Sequence, residues 1–118
     1  QSANTNSNRT ATLPDADTTL GYLNVPVSST TTTMATSDVG KVISLSAGIT
    51  IPNSTFAAGD VVSLYNNTSG SLTITCTITT AYIAGTNTDQ ATVSLATRGV
   101  ATVLFISGTE CVITGNVS

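Results

Sequence analysis

Six carboxylates, three cations and two thiols carry all the charged or nucleophilic chemistry open to this chain, which has no histidine. The carboxylates are Asp15, Asp17, Asp38, Asp60, Asp89 and Glu110; the cations are Arg9, Lys41 and Arg98. A serine, threonine or cysteine nucleophile needs an activating base, most often histidine. A pair of carboxylates could hydrolyse a glycoside. Asp38 and Asp60, however, sit near glycines at the mouths of expected strands, where turn roles are common. Glu110 follows Ser107-Gly108 and should be solvated, and Asp15 and Asp17 lie in a weakly patterned stretch. No catalytic residue is expected, and no enzyme. Cys76 and Cys111 each fall within an apolar alternation, which reads as two small core residues rather than a disulfide. Two thiols without a ligand cluster make no metal site, and no cofactor is expected.

Binding chemistry is richer. Asn66, Asn67, Thr68, Ser69 and Gly70 form one polar loop, and Thr86, Asn87, Thr88, Asp89 and Gln90 form another. Tyr65 and Tyr82 flank them. A tyrosine face beside amide and hydroxyl groups can hold a sugar, whose C–H groups stack on the ring while its hydroxyls find partners. Tyr65, Asn66, Asn67, Tyr82, Asn87 and Asp89 are therefore the candidate ligand-binding residues. Ordinary loops on a β-domain, with tyrosines at the core edge, have the same composition.

The elements that must position these residues are strands. Threonine is the commonest residue, aromatics make up 4 % and charged residues 8 %, far below the roughly 25 % of ordinary domains. Thr, Val and Ile favour a pleated, half-buried surface. Leu72, Ile74, Cys76 and Ile78 alternate with Thr73, Thr75, Thr77 and Thr79, a period of two that predicts one buried face and one hydroxyl face. Further strands are expected at 41–46, 49–51, 60–66, 82–84, 92–95, 99–106 and 109–114. The run 99–106 is nearly continuous in apolar residues and so central, and Phe56 should point inward from the connection 53–59. The segments 59–76 and 99–115 echo one another as glycine, apolar strand, Ser-Gly turn and second strand, which suggests two facing hairpins. No period of solenoid length recurs, which favours a sandwich over a solenoid. The expected fold is all-β: a small β-sandwich or jelly-roll-like antiparallel domain over 34–118, with an extended low-complexity arm over 1–33.

With a net charge of −3 and no basic patch, nucleic acid is not an expected partner. No apolar run is long enough for a membrane helix, so a membrane is not expected either. The Asn-x-Ser/Thr triplets at Asn8, Asn53, Asn66, Asn67 and Asn116 fit glycan acceptors, but turn formation selects the same residues. The opening at Gln1 is read as a piece of a longer chain.

From Gly21 onward the order of motifs resembles a domain of bacteriophage tail-fibre and related virion structural proteins, notably of phages infecting aquatic bacteria. The resemblance runs through Gly21-Tyr22-Leu23-Asn24-Val25-Pro26, Asp38-Val39-Gly40-Lys41-Val42-Ile43 and Ile49-Thr50-Ile51-Pro52. It continues through Phe56-Ala57-Ala58-Gly59-Asp60-Val61-Val62-Ser63-Leu64-Tyr65-Asn66-Asn67, Ala84-Gly85-Thr86, Arg98-Gly99-Val100-Ala101-Thr102-Val103-Leu104 and Val112-Ile113-Thr114-Gly115. Leu23 departs from it, standing where a basic or polar residue is expected. The resemblance implies a non-enzymatic virion component, a homotrimer of the tail-fibre type placed extracellularly on the phage particle. Its implied partners are copies of itself, other virion proteins and a host-surface glycan. A capsid decoration protein is the alternative, and a secreted bacterial adhesin a more distant one.

Overall fold

The computed structural model describes residues 24–118. Nine strands are present among them: β1 Val27–Ser28, β2 Val42–Leu45, β3 Ile49–Ile51, β4 Val61–Asn66, β5 Leu72–Cys76, β6 Thr80–Ile83, β7 Thr92–Leu95, β8 Val100–Ser107 and β9 Glu110–Gly115. The one helical feature described is a single 3-10 turn at Thr36–Asp38. The all-β reading holds. Six strands form one sheet in the order β1-β2-β4-β8-β9-β6, and three form the other in the order β3-β5-β7.

The two sheets share one core because alternation points every second residue inward. Ile43, Leu45, Val62, Leu64, Val103 and Phe105 of the larger sheet meet Ile49, Ile51, Ile74, Val93 and Leu95 of the smaller in one buried cluster. Phe56 is buried as expected, and its ring stacks on Phe105 with centroids 4.1 Å apart. Such aromatic pairs add to what area burial alone contributes. Leu72–Thr79 keeps its alternation, with Ile74, Cys76 and Ile78 buried and all four threonines on the outer side.

The expected antiparallel pairing holds for β4–β8, β8–β9 and β5–β7 and is corrected elsewhere. β1–β2, β2–β4, β3–β5 and β6–β9 are parallel. The cause is the path of the chain. From β1 it crosses to the smaller sheet, where Thr33 bridges Thr50, and returns for β2. It crosses again for β3, returns for β4 and crosses once more for β5. This part of the sandwich is wound like a solenoid, despite the missing period. Val27 lies opposite Val42, and Val42 opposite Ser63. On the other sheet Thr33 faces Thr50, and Ile49 faces Ile74. Each turn takes more chain than the last, so no fixed period is left in the sequence. Antiparallel β7 and β8 then end this winding, β7 at the edge of the smaller sheet and β8 inside the larger, with β9 and β6 beyond it.

Two further expectations change. The echo between 59–76 and 99–115 does not reflect two hairpins: β8 and β9 form one, but β4 and β5 belong to different sheets. The paired structure also begins ahead of residue 34, since β1 and Thr33 are bonded into the sheets. The rest of the expected arm, residues 1–23, lies outside the described residues.

Asp38 fastens this early region. Its carboxylate is fully buried and accepts hydrogen bonds from Ser28 Oγ, from Thr30 Oγ1 at 2.8 and 2.9 Å, and from the Ala35 N–H at 2.7 Å. A buried carboxylate without such donors would be strongly disfavoured. Burial pushes its pKa up, but the bonds from Ser28, Ala35 and Thr30 and the charge of Lys41 outweigh it, so the group is held below its usual value.

Candidate functional site

The two polar loops emerge at the same end of the larger sheet, because β4, β9 and β6 run in one direction. They do not converge. Between β4 and β6 lie β8 and β9, three strand spacings or about 14 Å. Tyr65 is opposite Val100, whereas Tyr82 is opposite Val112, which faces Leu104. The two tyrosines are thus also offset along β8 by the distance from Val100 to Leu104, about 13 Å. Both are half-buried on the outer face.

The first loop is built around Asn66, whose side chain is fully buried. Its Nδ2 donates to the carbonyls of Gly70 at 2.7 Å, Leu95 at 3.2 Å and Ala96 at 2.9 Å. Its Oδ1 accepts from Thr68 N–H at 2.9 Å and Thr68 Oγ1 at 2.7 Å. With donors and acceptor spent inside the fold, Asn66 is a keystone joining this loop to the end of β7, not a ligand contact. Its neighbour Asn67 is exposed, and its Oδ1 accepts from Arg98 Nη1 at 2.8 Å. Thr97 Oγ1 donates to Thr68 O at 2.9 Å, which ties the same two loops together. Arg98 itself has a left-handed backbone, φ 52°, so it marks a turn as well as a charge. The surface group here is Tyr65, Asn67 and Arg98. Sequence reasoning leaves Arg98 out because its partner Asn67 is far away along the chain and is brought beside it only by the fold.

In the second loop Asn87 is exposed. Asp89 Oδ1 accepts from the Ala81 N–H at 2.9 Å, and Gln90 N–H donates to Ala81 O at 2.8 Å. These bonds satisfy backbone groups of β6, the edge strand, so Asp89 serves the fold before any ligand. Tyr82, Asn87 and Asp89 are near one another in the chain but stand apart from the Tyr65 group.

The thiols are free and buried. Burial, followed by the charge of Asp89, pushes Cys76 up from 9.0 to about 11. Burial, followed by Cys76, Glu110 and Asp89, pushes Cys111 up to about 12. Both shifts disfavour the thiolate at neutral pH, and with it nucleophilic attack by either sulfur. Among the described residues no group of three or more His, Cys, Asp or Glu side chains could hold a metal ion.

The outer faces of the two sheets differ more than the loops do. Across the smaller sheet Thr33, Thr50, Thr75 and Thr92 stand in one register row, with Thr73 opposite Ser94 in the next. Gly48 packs closely on this sheet, where a Cβ would come within 2.6 Å of the Thr73 carbonyl oxygen. The larger sheet carries a different row: Tyr82, Val112, Leu104 and Val61. The exposed large apolar side chains among the described residues are Val25, Val27, Val100, Leu104 and Ile106, and all belong to this sheet or lead into it. Comparison with protein-family models, curated proteins and solved structures returned no match to this chain.

Proposed function

We propose that this protein is a non-enzymatic bacteriophage virion component, a homotrimeric tail-fibre domain that recognises a glycan on the host surface. The observation that carries this reading is the parallel winding through two sheets. Parallel strands need a crossover connection, and here the crossovers are strands of the opposite sheet, so the turns stack along one axis. The first turn leaves β1 and the Thr33 segment at the edges of their sheets, where further β structure can continue. Stacked, nearly charge-free turns suit an extended assembly. The motif order from Gly21 to Gly115 supports the same reading. Tyr65, Asn67 and Arg98 offer a ring face, an amide and a cation for a sugar.

The test is adsorption. Purified protein added with phage to host cells should lower adsorption in a dose-dependent way and should have a native mass of three times 11.9 kDa. A monomer that leaves adsorption unchanged overturns the proposal. The Asp38 latch favours a second reading, a capsid decoration protein, because it anchors the start of the described chain, to which residues 1–23 are joined. Under that reading the protein is found in particles and forms a trimer, and it does not compete for adsorption.

A further inference from the structure

We infer that the outer face of the six-stranded sheet is the surface on which copies of this chain pack against one another, with central strand β8 as its anchor. This rests on the self-assembling reading above and goes beyond it by naming the surface. Strand β8 is flanked by β4 and β9, and its alternation should place apolar groups inside and polar groups outside. It does so inward, but outward only at Thr102, which shares a polar register row with Ser63 and Thr114. Ala101, Val103 and Phe105 are buried, but Val100, Leu104 and Ile106 face outward at 55, 41 and 45 % exposure. Ile106 is the extra residue of a bulge between Phe105 and Ser107, which keeps it on the surface instead of in the ladder. Around Leu104 the register places Val61 on one side and Val112 on the other.

Two properties say what covers this face. The first is charge: in the β1, β2, β4, β6, β8 and β9 segments, Glu110 is the sole residue of the Asp, Glu, Lys and Arg types. A face this neutral can meet its own copy without the like-charge repulsion that penalises homotypic contact between charged faces. A strongly charged partner would find no complement on it. The second is size. Six strands at about 4.8 Å and a mean of about five residues at about 3.3 Å give a footprint of roughly 29 by 17 Å. Side-chain relief brings that towards the roughly 800 Å² that each partner of a stable interface buries. Among the described residues, the threonine face of the smaller sheet exposes no large apolar side chain, and it stays in water.

The experiment is light scattering on the full chain, comparing wild type with Leu104→Lys and with Thr75→Lys. Wild type and Thr75→Lys are expected to have the mass of three chains, and Leu104→Lys the mass of one, with circular dichroism unchanged. Leu104→Thr, which keeps a strand-favouring side chain, guards against misfolding and should raise the concentration needed for assembly many-fold. If wild type is a trimer and both Leu104 variants remain trimers, this face is not the contact, although the trimeric reading stands. If wild type is a monomer at every concentration, the face assignment and the trimeric reading fall together.

Discussion

The outer faces of the two sheets are built by the same rule, but only the larger one exposes large apolar side chains among its hydroxyls. Both continue strands whose inner residues are mostly Ile, Leu, Val and Phe. On the smaller sheet the outward positions are threonines in register, such as Thr33, Thr50, Thr75 and Thr92. On the larger one such row is Val61, Leu104, Val112 and Tyr82, beside a polar row of Ser63, Thr102 and Thr114. Cross-strand threonine pairs stabilise a sheet while leaving hydroxyls to water. Exposed apolar rows bring no such benefit to a lone chain, and a contiguous patch of them marks a contact surface. A strand pattern therefore reports two things: which face is core, and whether the other face meets water or protein.

The largest effect that can break this comparison comes from neighbours on one strand. Phe105→Ala empties the inner face and should cost about 3–5 kcal/mol in urea unfolding. Ile106→Ala, one residue on, should stay within about 0.5 kcal/mol for the dilute single chain while weakening assembly. Equal effects on chain stability would show that both faces are core. The loop offers the same contrast on a smaller scale. Asn66→Ala strands buried carbonyls and the Thr68 N–H, at about 2–3 kcal/mol, whereas Asn67→Ala removes one exposed bond to Arg98 and should stay within about 0.5 kcal/mol.

Much of this architecture is legible in the sequence because it is local. The alternation at Leu72–Thr79, the central run that became β8 and the inward Phe56 all follow from residues within a few positions of one another. The parallel winding is not local. Its turns lengthen from one to the next, so the contacts that define it, such as Thr33 with Thr50 and Ile49 with Ile74, leave no repeat to find. The site is hidden for the same reason. Asn66 has the residue type of a surface ligand group, and only its distant partners Leu95 and Ala96 reveal it as buried structure. Tyr65 and Tyr82 carry similar signals and are separated by the intervening strands β8 and β9.

A milder effect sharpens the comparison at the sheet edge. The Asp38 carboxylate titrates lower in the fold than its usual 3.8. Its contribution to stability is therefore complete above that value and is lost as pH falls through the lower folded value. Acid should release Ser28 and Thr30, loosen β1 and withdraw Val27 from the apolar face. Amide exchange at residues 27–30 should rise below about pH 4 before the centre of the sheet responds, and Asp38→Asn should remove that pH dependence.

The central claim, that one outer face meets protein and the other meets water, is tested most directly by thiol labelling near pH 8. Cys76 and Cys111 are buried, and burial disfavours their thiolates, so an introduced surface cysteine reports alone. At concentrations where the native mass is three chains, Leu104→Cys should label slowly and speed up on dilution, while Thr75→Cys labels fast throughout. If Leu104→Cys labels as fast as Thr75→Cys in the assembled protein, the apolar face is open to water and the account is contradicted.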